Sequence, residues 1–281
     1  MIQKGSAAAA YNEQVTYRLA AAVAVVVLAA GGAVWYVQYG HVPPPMAAPA
    51  ELIDGDWLAH LHSQNPKVAE EAERQLEELG AHALPEIQTA LRDPAADIAL
   101  KKAAMKAIGL LGTRAAPLIS DVATHLTDPE LTEEAAVALS FMGRDAFATL
   151  RKGAASNDPV VRRESLRSLG KLRERAPLDP SAVVPLLLEG LADPDPGVRS
   201  VAATYLGILH EEPAAAVPAL IETLADEEPE VRSAAATALG SFGADAAAAV
   251  PALKKATGDR NEDVAREAGL ALVKLQSSSR R

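Results

Sequence analysis

Three kinds of side chain in this sequence could do chemistry: histidines near glutamates, an arginine that recurs, and small hydroxyl residues set where charges are expected. His60, His62 and His82, with Glu residues nearby, are the candidate metal ligands. Two histidines two positions apart on a helix point about 200° apart, and no further ligand follows at a metal-site spacing, so they are read as surface or capping residues. Arg162, Arg199 and Arg232 each follow a valine that fills the same place in three successive copies of one pattern. They form either a basic stripe for an acidic ligand or a structural ladder, in which each guanidinium bonds a capping carboxylate such as Asp158, Asp195 or Glu228; the ladder is preferred. With no cysteine, thiolate metal sites and disulfides are excluded. There is no nucleophile set beside a base, no acid/base pair and no phosphate loop. The expectation is therefore a binding protein and not an enzyme, with no cofactor, metal or small-molecule substrate.

Those residues need elements to hold them, and the elements are repeats. An apolar column reads Leu76, Ile108, Leu139, Leu169, Leu206, Leu239, Leu272. Eight residues earlier stand Val68, Leu100, Leu131, Val161, Val198, Val231, Val264, and midway stand Ala72, Ala104, Ala135, Ser165, Ala202, Ala235, Ala268. Offsets of four and eight lie on one face of a helix, and the small middle residue lets a neighbouring helix come close. After each column a second helix is expected, with prolines at Pro85, Pro117, Pro185, Pro218 and Pro251 near its start or at a kink. Glycines after the first helix are expected to stop it. Asp93, Asp128, Asp158 and Asp195, each followed by proline, are expected to cap the next first helix. The fold class predicted is all-α: an α-solenoid of about seven helical hairpins, residues 54–276, plus one N-terminal transmembrane helix.

The phrase Asp195-Pro196-Gly197-Val198-Arg199, followed by Ala202-Ala203, Leu206-Gly207 and Ala216-Val217-Pro218-Ala219-Leu220, resembles bacterial HEAT repeats of the short, phycobilisome-lyase-like type. The resemblance spans residues 65–276, and the copies at 68, 100 and 131 depart from it with Ala69, Lys101 and Thr132 in place of arginine. It implies a surface that binds proteins; its alternative implication is a subunit or relative of a bilin lyase or isomerase. His210-Glu211 is similar to the His-Glu dyads of HEAT-repeat iron hydroxylases that modify lysine. Those enzymes use several dyads in equivalent repeats, and a single pair in a turn does not meet that requirement.

Two stretches are candidates for contact with a partner protein. The interval from Leu169 to Leu206 is longer than its neighbours, and the surplus, with Arg173, Glu174 and Arg175, is expected to be a loop ending at Pro180. The outward positions of the early first helices carry charge (Glu70, Glu71, Arg74, Lys102, Lys106, Arg163, Glu164, Arg167), whereas later ones carry Ser200, Thr204, Ser233 and Thr237. This neutral strip is either a docking surface or ordinary small-residue variation facing the next repeat.

Of 27 basic and 37 acidic residues, 23 and 36 remain once Lys4, Arg18, Glu13, Arg280 and Arg281 are set aside, a net charge of −13. Nucleic acid is excluded as a partner by that sign. Before the repeats, residues 1–18 form a short segment, and residues 19–37 run without a charge for about 28 Å as a helix, near the thickness of a bilayer core. Trp35, Tyr36 and Tyr39 suit an interfacial belt, so a retained anchor is preferred over a cleaved signal peptide. Lys4 and Arg18 precede the span and no Lys or Arg follows until Lys67, which predicts a cytoplasmic N-terminus and repeats outside it, periplasmic in a bacterium with two membranes. Residues 38–53 are a Pro/Ala-rich linker. Trp57, Leu58 and Leu61 are expected to cap the first repeat, and residues 277–281 to form a polar tail.

Overall fold

The apolar columns fall on helices, because each places three core residues on one face within nine positions. The computed structural model describes residues 56–176 and 178–278. The expected N-terminal segment, membrane span and linker (1–18, 19–37, 38–53) lie outside them. The described residues belong to one compact unit.

The α-helices are α1 (Trp57–His60), α2 (Pro66–Leu79), α3 (Leu84–Arg92), α4 (Ile98–Leu111), α5 (Ile119–Thr124), α6 (Thr132–Phe141) and α7 (Phe147–Ala154). They continue with α8 (Pro159–Arg175), α9 (Pro180–Gly190), α10 (Pro196–Leu209), α11 (Pro213–Thr223), α12 (Pro229–Phe242), α13 (Val250–Ala256) and α14 (Glu262–Ser278). The first helices α2, α4, α6, α8, α10, α12 and α14 pack each on the next, and each odd-numbered helix from α3 to α13 packs on the first helix that follows it. Among the described residues there are six hairpins and one terminal first helix, where seven hairpins were expected. The last helix also runs through Ser278, into the expected tail.

All column residues are buried except Val68, Leu100 and Leu272, which are half-buried. Val183, Val184, Leu187, Val217, Leu220 and Leu253 close the layer from the second helices. The short helix α1 seals the N-terminal end of this unit. Trp57, Leu58 and Leu61 are buried, the Trp57 indole N–H donates to Glu86 at 2.8 Å, and Lys106 Nζ donates to the Leu61 carbonyl at 2.9 Å.

Glycine works differently from expectation. Gly170, Gly207 and Gly240, directly after the column leucines, are inside α8, α10 and α12 and do not end them. They are contact points: a Cβ on Gly207 would lie 2.5 Å from Ala238 Cα, and one on Gly240 3.0 Å from Ala271 Cα. The helix stops stand three residues further on, at Gly80, Gly112, Gly143 and Gly243, all with positive φ. In the fifth copy that place is His210, which takes the left-handed conformation at φ 38° and donates from its ring to the Ile208 carbonyl at 2.9 Å. In the fourth it is Arg173, and there the helix does not stop: α8 runs on to Arg175.

The capping expectation holds for Asp158 and Asp195, whose carboxylates accept from Val160 and Val198 N–H. Asp93 and Asp128 instead close the second helices, and Asp97 caps α4, accepting from Leu100 N–H at 2.7 Å. Pro185 and Pro218 lie within α9 and α11. In the second and sixth copies the residues leading to the second helix, Gly112–Leu118 and Gly243–Ala249, are 3-10 turns.

Gly207→Ala is expected to lose about 1–3 kcal/mol, since the methyl meets backbone that cannot give. His210→Gly is expected to gain on the order of 1 kcal/mol by relieving the left-handed backbone. Chemical denaturation of both variants measures these shifts, and equal signs would refute the assignment of the two positions.

Candidate functional site

The arginine that recurs is buried in two copies and nearly so in the third, Arg162. Arg199 and Arg232 are 8% and 6% exposed, which a free basic stripe would not be. Each guanidinium makes a two-pronged contact with the aspartate that ends its own repeat: Arg162 with Asp193 (2.7 and 2.7 Å), Arg199 with Asp226 (2.8 and 2.9 Å), Arg232 with Asp259 (2.8 and 2.9 Å). The third nitrogen donates to two carbonyls of the preceding turn, Ser156 and Asn157, Asp193 and Pro194, or Asp226 and Glu227. Each rung thus ties three segments together: the turn before a first helix, that helix, and the end of the second helix. The partners differ from those expected. Asp158 and Asp195 serve as helix caps and Glu228 caps nothing with its side chain, so the aspartates that close each copy take the arginines.

The carboxylates respond accordingly. Burial pushes Asp193 and Asp226 up, but the guanidinium and a backbone N–H (Asp195, Glu228) bonded to each outweigh it and hold both below the ordinary carboxylate range. Asp259 is lowered chiefly by Arg232. The arginines are raised in turn, each first by its aspartate.

The early copies, which lack that arginine, are joined by other pairs that the sequence did not signal. Asp121, 7% exposed, accepts from Arg92 Nε (2.6 Å) and Gln88 Nε2 (2.8 Å), and the buried His125 donates to the Leu91 carbonyl at 3.0 Å. These contacts connect one second helix to the next. On the first helices, Lys102 pairs with Glu134 at 2.6 Å and Lys106 with Glu73 at 2.8 Å. Glu164, expected to face outward, is 2% exposed, flanked by Arg163 at 3.0 Å and Arg167 at 3.5 Å.

The neutral strip forms the floor of a cleft of about 680 Å³ over α10, α12 and the start of α14. Ser200, Thr204, Ser233 and Thr237 all line it, joined by Ile208 and Ser241 toward one end and by Glu230, Asp263 and Glu267 at the other. Thr204 and Ser241 donate to carbonyls one turn back in their own helices, Ser200 and Thr237, and Thr237 Oγ1 lies 3.3 Å from Glu267. The close approach set by Gly207 and Gly240 is what brings the hydroxyls of neighbouring helices onto one surface.

Arg173, Glu174 and Arg175 do not line this cleft, and they are not a loop: they form the last turn of α8, leaving a connection of residues 176–179. Arg173 forks onto Glu211 at 2.6 and 3.2 Å, which ties α8 to the residue after the His210 turn. Arg175 donates to Ser140 Oγ at 3.0 Å and stacks over the Phe141 ring at 4.0 Å. Glu174 is exposed. His60, His62 and His82 are exposed as well, and among the described residues no three His, Asp or Glu side chains are grouped to hold a metal ion. One stretch of the described residues, Pro229–Ala256, is long and apolar enough to cross a membrane by length and composition. It is the hairpin of α12 and α13 with its 3-10 turn, and its apolar residues are core, among them Leu239, Phe242 and Leu253.

The model of the family HEAT repeats matches residues 147–217 and 184–274, the stretch from α7 through most of α14. No curated protein matches the chain. Among solved structures it is similar to an engineered protein (22% identity, TM-score 0.45, covering 78% of this chain and 67% of that one). It is also similar to human deoxyhypusine hydroxylase in complex with glycerol (21% identity, TM-score 0.39, 79% and 84%) and to a second engineered protein (20%, 0.36, 79% and 96%).

Acid should unpick the ladder. Carboxylates held low when folded release their stabilisation as pH falls through their folded values, because the unfolded chain takes up protons first. The contribution is complete above about pH 5, falls progressively below that, and is gone only under the folded values, which lie beneath the ordinary value of about 4. Arg199→Ala is expected to cost about 3 kcal/mol at neutral pH by leaving Asp226 buried without its partner, and to flatten the acid loss. Urea melts of both proteins between pH 7 and 3 test this; parallel curves would show that the rung does not set the pH dependence.

Proposed function

We propose that this chain, whose residues 147–274 match the model of HEAT repeats, is a membrane-anchored protein that binds another protein, as a scaffold or accessory subunit of a membrane complex. The observation that carries this reading is the cleft over α10, α12 and α14, whose floor offers hydroxyls and an apolar end on a unit otherwise dressed in charge. The hydroxyl floor is cheap to desolvate, as an interface core requires, while Glu230, Asp263, Arg266 and Glu267 form a charged border to it. The anchor is residues 19–37, with the N-terminus cytoplasmic and the repeats in the periplasm of a bacterium, a reading supported by the uncharged run and the basic residues before it. The short repeat type resembles that of phycobilisome-lyase-like proteins, and the binding surface is the part of that likeness carried over here.

Thr204→Arg with Thr237→Arg, which fills the cleft with two long charged side chains, is expected to abolish co-purification of the partner from native membranes while leaving the melting temperature within a few degrees. Lys254→Glu with Lys255→Glu, at exposed sites on α13, is the matched control and should leave it intact. A reporter active only in the cytoplasm, fused after Arg281, should be silent. Capture that survives the cleft pair refutes the contact surface, and a bright reporter refutes the orientation, independently of each other.

A further inference from the structure

The outward face of each first helix is made of the positions two, six and ten residues after the first residue of its column. In α4 these are Lys102, Lys106 and Leu110, and in α10 Ser200, Thr204 and Ile208. Only in α8 are all three basic: Arg163, Arg167 and Lys171. Elsewhere on this face the bases are matched, Lys274 near the end of α14 excepted. Lys102 and Lys106 have one carboxylate each, and Arg74 and Arg266 have two. In α8 three bases share one. Arg163 donates to Glu164 at 3.0 Å, and Glu164 is 2% exposed with its other oxygen accepting no hydrogen bond. Arg167 stands 3.5 Å from that oxygen and makes no hydrogen bond of its own among the described residues, where Lys171 has no partner at all. Glu174, one turn on, is exposed and pairs with none of the three. About a third of the Arg163 and Arg167 side chains, 36% and 33%, stays in solvent.

Charge along the chain sets this face apart as well. Residues 144–175 hold nine basic and four acidic residues, a net of +5, between −8 for residues 54–143 and −9 for residues 176–278. Arg162 and Arg173 are taken up by Asp193 and Glu211, and the outward face of α8 receives three of the rest. We propose that this face holds an acidic stretch of the partner polypeptide, with two or three Asp or Glu side chains meeting Arg163, Arg167 and Lys171. The inference rests on the protein-binding reading above and gives the partner a chemistry beside the cleft, because α8 packs on α10, whose outward face is the strip of Ser200 and Thr204. The uncommitted donors of Arg167 suit a carboxylate taken by two prongs. Four residues of helix rise about 6 Å, a spacing that carboxylates at i and i+4 of a helix or i and i+2 of an extended chain reproduce. The acidic flanks favour a narrow ligand. A nucleic acid duplex or an anionic bilayer is wider than the roughly 8–10 Å between packed helices and meets like charge on both sides, whereas a single acidic segment stays on α8.

The test uses the full chain purified in detergent and a fluorescent oligo-glutamate peptide, with binding followed by anisotropy at low ionic strength. Arg167→Gln with Lys171→Gln is expected to weaken binding about 5-fold or more, while Lys254→Gln with Lys255→Gln, the same loss of charge on α13, leaves it within about 2-fold. Arg163 is kept, so that Glu164 retains its bonded base, and the melting temperature checks the fold. Lys171→Glu, at a side chain without a partner among the described residues, repeats the test where the fold is not at risk and should weaken binding by itself. No binding of the peptide overturns the proposal, and so do equal losses in the two pairs. Oligothymidylate or phosphatidylglycerol vesicles that bind as tightly as the peptide, and lose as much from the α8 pair, also overturn it. None of these outcomes touches the cleft, which Thr204→Arg with Thr237→Arg tests by itself.

Discussion

The approach of one first helix to the next is the constraint on which the repeat unit depends. A hairpin of this size cannot bury its own apolar face, so its stability comes from its neighbours. The contact between α10 and α12 leaves no room for a side chain at Gly207. Once the backbones are that close, the residues between them must be small, which accounts for alanine at 202, 203, 235, 236 and 238, all at or below 2% exposure. A core of this kind needs few aromatics, and the chain has 4%. The arginine rung belongs to the same arrangement. Packing the helices tightly leaves a gap at the turns, and a long guanidinium reaches across it to a carboxylate and two carbonyls at once.

How much of this was legible in the sequence follows from which rules are local. The column leucines and valines were readable because helical periodicity is a property of the chain itself, and the structure buries them or nearly so. The glycines are not legible in this way because a glycine's role depends on what lies across from it: inside α10 it admits a neighbour, and three residues beyond, in other copies, its positive φ ends the helix. That second position also explains the misjudged loop. Where Arg173 occupies the stop position, no left-handed residue is on hand, so the surplus residues become an extra helical turn. The rung partners differ from expectation for the same reason. An Asp before a proline looks like a cap, but only the fold tells which of two aspartates in Asp193-Pro194-Asp195 receives the guanidinium and which caps the helix.

The cleft was legible in part. Four hydroxyl residues at outward offsets of two helices were visible as a strip, and helical geometry alone put them on one side of each helix. Their meeting in one concave surface needed the distance between the helices, which sequence does not carry. Arg173 and Arg175 look like free charges in the sequence because their partners, Glu211 and Ser140 with Phe141, are 34 to 38 residues away, in the neighbouring repeats. Two long side chains held this way have little freedom left to meet a ligand.

The two ends of the repeat unit are joined by different chemistry, and that difference bears on how it yields. From α8 onward the links are forked arginine-aspartate pairs whose members are 8–14% exposed, fixed further by backbone carbonyls. Between α2 and α6 the basic members of the pairs are more open to solvent: Arg92 is 63% exposed, Lys106 36% and Lys102 32%. Exposed pairs contribute little and are screened by salt, whereas buried forks lose much when one member goes. The column residues Val68 and Leu100 are also only half-buried, while every later valine of that column is fully so. Opening should therefore begin in the early repeats and leave α8 to α14 standing, the part that holds the cleft. A rigid surface carried behind a looser lead-in is the arrangement that a binding module tolerates best, because the contact geometry is kept while strain from outside is absorbed elsewhere.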